Sequence, residues 1–436
     1  MNILMMTNTY KPLMGGLEKS IEAFSEGYRK KGHRVIIVAP EFEDMKPEKD
    51  VIRIPAIQNF NGTDFSVQLP APGMLTEALG DFRPGIVHSH HPFLVGDTAL
   101  RIAYKFNAPL VFTHHTLYEQ NTHYVPGDSA VLKNFVIQLS AGYANLADQV
   151  FAPSESVMDL LRQRGVTTPI DVVPTGIDLQ RFAKGDPEKL RAALGIQPGV
   201  FVIGHLGRLA PEKNLEFMAK AVLHFLSAHK NAQFLMVGKG PSEEAIERMF
   251  QKAGMADRLH LTGPLMGQEL VDAYCLMDVF VFASQSETQG LVLTETMACG
   301  VPVVAVDAPG VREVVRDGVN GRLLMREDAS EFAVALEWVA AQKPEKTGQM
   351  KKECLAMAET FSMEKCLDRA LKIYGRLVTD KAFVRRQSKD SAWEKTLRFI
   401  QAHWDLAKNL AKATTEAVLN TPSSETKDKT NSQQED

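Results

Sequence analysis

The stretch VFVFASQSETQGLVLTETMACGVPVVAV, from Val279 to Val306, reads as strand, loop, helix, strand. Its apolar runs, Val279 to Phe282 and Pro302 to Val306, are continuous rather than alternating, which marks strands covered on both faces as in a parallel sheet. Leu291 to Ala298 is the helix between them. That order places Glu287 in the strand-to-helix loop at the carboxyl edge of the sheet, where open α/β sheets bind ligands. It places Glu295 about two turns into the helix, on the side facing the cleft. Gly290 lets the backbone come close to a ligand, and the helix start offers unpaired N–H groups to an anion. The spacing alone fits two solvated glutamates equally well, since glutamate is most often exposed.

Working outward, the same strand-then-helix alternation fills the chain. Before this stretch lie the apolar runs Val200 to Ile203, Phe234 to Val237 and His260 to Thr262. An earlier series comprises Ile3 to Met6, Val35 to Val38, Gly85 to Val87, Pro109 to Phe112 and Gln149 to Phe151. Residues 17–31 carry helical spacing through Leu17, Ile21, Phe24 and Tyr28, and Gly32 stops that helix. The economical architecture is α/β, two doubly wound domains over 1–180 and 181–361. An amphipathic helix follows at 362–378, with Leu367, Leu371, Tyr374 and Leu377 on one side. A basic helical extension is expected over 380–418, containing Trp393, Phe399 and Trp404. Residues 419–436 are too polar to bury a core.

Composition narrows the function. With 49 Lys plus Arg against 53 Asp plus Glu, the formal charge is −4, which speaks against a dedicated nucleic-acid binder. The four cysteines, Cys275, Cys299, Cys354 and Cys366, show no CxxC spacing and suit free thiols in a reducing compartment. No apolar run is long enough to span a bilayer, and the apolar start reads as a strand rather than a signal peptide. A cytoplasmic location is therefore expected.

Three further pieces carry chemistry. Gly207-Arg208-Leu209-Ala210-Pro211-Glu212-Lys213-Asn214 follows a strand and precedes a helix beginning near Lys213. Two cations beside a helix N-terminus oppose its dipole, so an anionic ligand such as a diphosphate explains them better than solvation does. Gly15-Gly16, after the first strand, has the look of a phosphate-cradling turn, although a simple tight turn fits as well. Val237-Gly238-Lys239-Gly240-Pro241 ends a strand with two glycines, where either a nucleotide or an ordinary turn would account for them. The GxGxxG fingerprint of dinucleotide binding is absent. The histidines His88, His90, His91, His114, His115 and His123 gather near strand ends. Without cysteines or an HExxH pattern they read as polar lining of the cleft rather than as a metal site.

Together these residues resemble the GT-B retaining glycosyltransferases of family 4, from Met1 to about Leu377. The most specific part is Glu287 to Glu295, continued by Met297-Ala298-Cys299-Gly300-Val301-Pro302. Gly310-x-x-Glu313 and Asp317-Gly318-x-Asn320-Gly321 support it. The stretches His90-His91-Pro92-Phe93-Leu94-Val95-Gly96 and Thr113 to Glu119 are similar to the branch that glucosylates diacylglycerol. The resemblance implies two Rossmann-like domains facing a cleft, with the helix at 362–379 crossing back to the first. It also implies that Arg208 and Lys213 neutralise the donor diphosphate, Glu295 binds the ribose, Glu287 contacts the transferred sugar and His115 sits where the acceptor attacks. Gly15, Gly16, Gly207, Gly238, Gly240, Leu265, Gly290 and Leu291 would contact the donor, expected to be UDP-glucose. The acceptor would be a lipid hydroxyl, with a soluble sugar or glycan as the alternative and a nucleotide-sugar epimerase as the competing class. Because no Asp-x-Asp occurs in the chain, transfer is expected without a metal. A basic, Trp-containing extension could also rest on an anionic membrane surface at its inner face, or pack on the protein.

Overall fold

The computed structural model describes residues 1–13, 15–42, 45–57, 67–68, 72–120, 129–284, 287–380, 401, 405–414 and 417. The first domain holds the strands β1 (Asn2–Met6), β2 (Arg34–Pro40), β3 (Val51–Ile54), β4 (Ala56–Ile57), β5 (Val67–Gln68), β6 (Ile86–Ser89), β7 (Leu110–Thr113), β8 (Gln149–Ala152) and β9 (Ile170–Val172). Seven of them form one parallel sheet in the order β3-β2-β1-β6-β7-β8-β9, while β4 and β5 pair antiparallel apart from it. The second domain holds β10 (Phe201–Leu206), β11 (Ala232–Val237), β12 (Leu259–Leu261), β13 (Val279–Phe282), β14 (Val303–Val306) and β15 (Gly321–Leu324). Their order is β12-β11-β10-β13-β14-β15, again parallel.

The continuous apolar strands are explained by what covers them. Along β1, Leu4 and Met6 belong to one core cluster and Ile3 and Met5 to another on the opposite face, as the two-residue repeat of a strand requires. In β10, Val202 and Leu206 face one core while Ile203 faces the other. Both sheets are therefore sandwiched between helices. In the two parallel sheets three strands, β3, β9 and β15, had no counterpart in the apolar pattern, nor did the separate pair β4 and β5. β3, β9 and β15 each lie at a sheet edge and carry a charge, Arg53, Asp171 and Arg322, which breaks the run that marks an inner strand.

The chain crosses between domains twice, and the crossings touch. Ile177 N–H donates to Phe361 O at 2.9 Å and Met363 N–H donates to Ile177 O at 2.9 Å. Gly176 sits in this contact, where a Cβ would fall 2.5 Å from Met363 Cα. The helix Met363–Thr379 then lies on the first domain, burying Leu367, Ala370, Ile373 and Tyr374 with Phe24, Tyr28 and Phe151. Leu371 and Leu377 sit at the margin of that contact.

Most of the basic extension, including Trp393, Phe399 and Trp404, falls outside the described residues, as do His123 and residues 419–436. Residues 405–414 are helical and dock on the first domain. Leu406 joins its core, Asn409 Nδ2 donates to Leu139 O at 3.1 Å and Tyr104 O–H donates to Asp405 Oδ2 at 3.4 Å. No described helix is long and apolar enough to cross a membrane.

Candidate active site

The second-domain wall is built at the carboxyl edge of β10 and β13, where the strand order reverses and two strand-to-helix loops open side by side. From the first loop comes Lys213. The helix expected near it starts later, at Leu215, because Asn214 takes a left-handed conformation (φ 55). Lys213 instead closes a separate 3-10 turn, Pro211–Lys213, so the cation is held off the helix terminus whose dipole would oppose it. From the second loop comes Glu287, whose Oε1 lies 2.5 Å from Lys213 Nζ, both side chains being about four-fifths buried. Neither is a solvated surface charge. Arg208 is exposed at the start of the same first loop.

Glu295 is the fifth residue of the helix Leu291–Ala298, so it stands one turn from the loop, not two. It is 7% exposed. Tyr274 O–H donates to its Oε2 at 2.6 Å, and Lys19 Nζ of the first domain lies 3.8 Å from its Oε1. Burial, together with the adjacent carboxylate, holds the Tyr274 hydroxyl protonated and donating. Leu265 and Leu291 are half-buried against the same core. Gly290 caps the helix with φ 69.

Two glycines of this wall are demanded by the packing of the protein itself. A Cβ at Gly238 would fall 1.9 Å from Gly207 O, and one at Gly240 would fall 2.3 Å from Leu209 O. Gly238 and Gly240 therefore let two loops of the protein lie against each other, with Leu209 N–H donating to Lys239 O at 3.1 Å. Their backbone demand comes from the fold itself.

The first-domain wall is made of histidines. His91 is structural, since its Nδ1 accepts from Asn8 N–H at 3.1 Å and ties together the loops after β1 and β6. His88 bridges Tyr374 O–H at 2.6 Å and Thr113 Oγ1 at 2.6 Å, and Tyr28 O–H donates to Tyr374 at 3.4 Å. This chain fastens the crossing helix to the sheet. His90 stacks on His88 and sets its Nδ1 2.9 Å from Nε2 of His115. His114 packs edge-on against Phe112 and Tyr118. Burial pushes His88, His91 and His114 down to about 3, and His90 and His115 well below their usual value, so the wall is neutral. Among the described residues no three His, Cys, Asp or Glu side chains are grouped to hold a metal ion.

At the Gly15-Gly16 turn, Gly15 caps the helix Gly16–Lys30 and its N–H donates to Glu18 Oε2 at 2.8 Å. A Cβ at Gly15 would meet that carboxylate at 2.7 Å, whereas one at Gly16 would meet no described atom within 4 Å beyond its chain neighbours and its own helix backbone.

The two walls meet through contacts that the motif pattern did not reveal. Thr288 Oγ1 donates to His115 O at 2.8 Å. Gln289 and Thr175 exchange two hydrogen bonds, Thr175 N–H to Gln289 Oε1 at 2.7 Å and Gln289 Nε2 to Thr175 O at 2.8 Å. Glu313 accepts from the backbone N–H of Glu155 at 2.8 Å and of Ser156 at 2.7 Å, capping a first-domain helix from the second domain. Gln289 could have been suspected from its place between the two glutamates. Tyr274 and Thr175 carried no local signal.

A fold of two facing Rossmann-like domains, with paired acids and a lysine at one sheet edge, defines a GT-B glycosyltransferase. Residues 14–181 match the family described as Glycosyltransferase Family 4 and residues 186–378 match Glycosyl transferases group 1. The chain is 30% identical over 334 residues to an alpha-monoglucosyldiacylglycerol synthase of Streptococcus pneumoniae, covering 75% of this chain and 76% of that protein. It is 27% identical over 350 residues to a GDP-mannose-dependent alpha-mannosyltransferase of Corynebacterium glutamicum, covering 78% and 80%. The Anabaena Alr3699/HepE structure, crystallised with UDP-glucose, superposes with a TM-score of 0.69 at 20% identity, over 86% of this chain and all of that one. The chain belongs to the family 4 glycosyltransferases, and it is an enzyme of that class.

Proposed function

We propose that this enzyme moves glucose from UDP-glucose to a lipid hydroxyl such as that of diacylglycerol, with retention of configuration and without a metal ion. The observation that carries the reading is the Lys213–Glu287 pair at the switch-point edge, a cation and a carboxylate adjacent where a sugar diphosphate needs one of each. Lys213, with Arg208, would neutralise charge on the departing diphosphate, the interaction that lowers the barrier most in such transfers. Glu287 would bond the sugar hydroxyls, and Glu295, oriented by Tyr274, the ribose. His115 and its partner His90 would line the acceptor side. Apposed walls exclude water and so limit hydrolysis. The lipid acceptor is favoured by likeness to the pneumococcal diacylglycerol enzyme, while the mannosyltransferase relative makes the donor the part most open to test.

Donors ranked by thermal shift, followed by mass spectrometry of products from a diacylglycerol-containing extract, test the proposal. A hexosylated lipid made from UDP-glucose is expected, with activity surviving a chelator. Transfer only to soluble glycans would overturn the lipid assignment, and an isomerised donor sugar with no acceptor product would overturn transfer itself.

A further inference from the structure

The proposed donor chemistry leaves one buried histidine of the second-domain wall unused. His205 is the next-to-last residue of β10, the strand at which the sheet order reverses, and is 1% exposed. Pairing of β10 with β13 runs through Ile203 and Gly204. One residue on, the imidazole takes over, with Nδ1 3.0 Å from Val281 O. A carbonyl only accepts, so Nδ1 carries the proton and Nε2 presents a lone pair. That Nε2 is buried and has no hydrogen-bond partner among the described residues. It is aimed at the Gly207 turn, where a Cβ would stand 3.7 Å from it. Phe280 and Phe282 pack its ring, and Lys213 and Glu287 are the charged groups whose fields reach it. Burial pushes the imidazole down to about 4, so the lone pair persists at neutral pH. A buried acceptor without a donor is costly, and native structures keep few of them.

Lys213 can supply the donor. Its ammonium has three N–H groups and is held by Glu287 in this structure. A sugar diphosphate draws the lysine toward phosphate and the glutamate toward the sugar, which loosens that pair. We propose that His205 is a positioning residue of the donor site: when the nucleotide sugar binds, its Nε2 accepts a hydrogen bond from Lys213 Nζ and holds the ammonium against the diphosphate. The inference rests on the donor reading of Lys213 given above.

Two substitutions separate this role from a purely structural one. In His205→Asn the amide nitrogen falls near Nδ1 and still donates to Val281 O, but nothing accepts at the Nε2 position. In His205→Gln the longer side chain places Oε1 near the Nε2 position and gives up the bond to Val281. The expected result, with folding checked by thermal melting, is a loss of kcat and UDP affinity of about tenfold for His205→Asn, the worth of one hydrogen bond to a charged group. His205→Gln should recover most of that loss, and acceptor KM should be unmoved in both. The reverse order, with His205→Asn like wild type and His205→Gln impaired, overturns the proposal. The ¹⁵N resonance of His205 Nε2 reads the same bond in the unaltered protein: an upfield shift on adding UDP supports it, and an unmoved resonance overturns it. Lys213→Ala measured alongside keeps the two readings apart. If that variant binds UDP and turns over normally, the donor reading fails; if it is impaired while His205→Asn is not, only the role of His205 fails.

Discussion

The two walls of the cleft are made of different material. The second-domain wall is charged, with Arg208, Lys213, Glu287 and Glu295 brought to the edge of β10 and β13. The first-domain wall is neutral, with His88, His90, His91 and His114 buried far below their usual titration range. A charged wall suits a ligand that arrives charged and leaves more so. A neutral wall suits an acceptor hydroxyl whose surroundings should not compete for the diphosphate. The division of labour follows from which side can satisfy its charges: the acids have Lys213, Tyr274 and Lys19 as partners, whereas the histidines have one another, backbone and the hydroxyls of Tyr374 and Thr113.

The contrast makes its largest prediction in acid. An unfolded histidine titrates near 6.5, so the unfolded chain binds protons that the buried, depressed histidines of the native state refuse. Stability they contribute is present above about pH 6.5 and is lost as the pH falls toward about 3. At pH 5 the cost is about 2 kcal/mol for each such histidine. Hydrogen exchange at pH 7 and pH 5, corrected for intrinsic rates, should show β1 and β6 losing more protection than β13 and β14. Equal loss in the two sheets would erase the contrast.

Next in size is Lys213→Ala, expected to lower kcat/KM by about 10² to 10³ with an unchanged melting temperature. Loss of folding along with activity would make the pair structural instead. Tyr374→Phe removes the hydroxyl between Tyr28 and His88 and should cost about 1–3 kcal/mol of stability by leaving a buried imidazole nitrogen unsatisfied. Its effect should appear in thermal melting of the first domain and leave UDP affinity alone. The smallest effect is expected for Glu295→Gln, a drop in UDP affinity of about tenfold by calorimetry. Unchanged affinity would remove Glu295 from the ribose.

How much of this could be read beforehand depended on locality. Glu287, Glu295 and the Gly207 to Asn214 loop lie in short strand-to-helix segments, so spacing along the chain translates directly into position at the sheet edge. The two-sheet architecture was legible for the same reason, because inner strands are continuous apolar runs. The edge strands β3, β9 and β15 were not, since a single charge in each hides the run. Contacts across the cleft, such as Gln289 with Thr175 and Glu313 with the helix at Glu155, join residues more than a hundred positions apart and leave no mark in local pattern. The histidines were visible as a group, but only their partners divide them into those that fasten loops and those that line the cleft. Gly238 and Gly240 add a second lesson: a neighbouring loop of the same chain is reason enough for a glycine at each, whether or not a donor also lies there.

The most direct test of the central claim is a crystal structure with a non-transferable UDP-glucose analogue bound. The Lys213–Glu287 contact should be opened there, with the lysine on a diphosphate oxygen, Glu287 on the sugar and Glu295 on the ribose. A nucleotide sugar bound elsewhere, with that ion pair still closed, would contradict it.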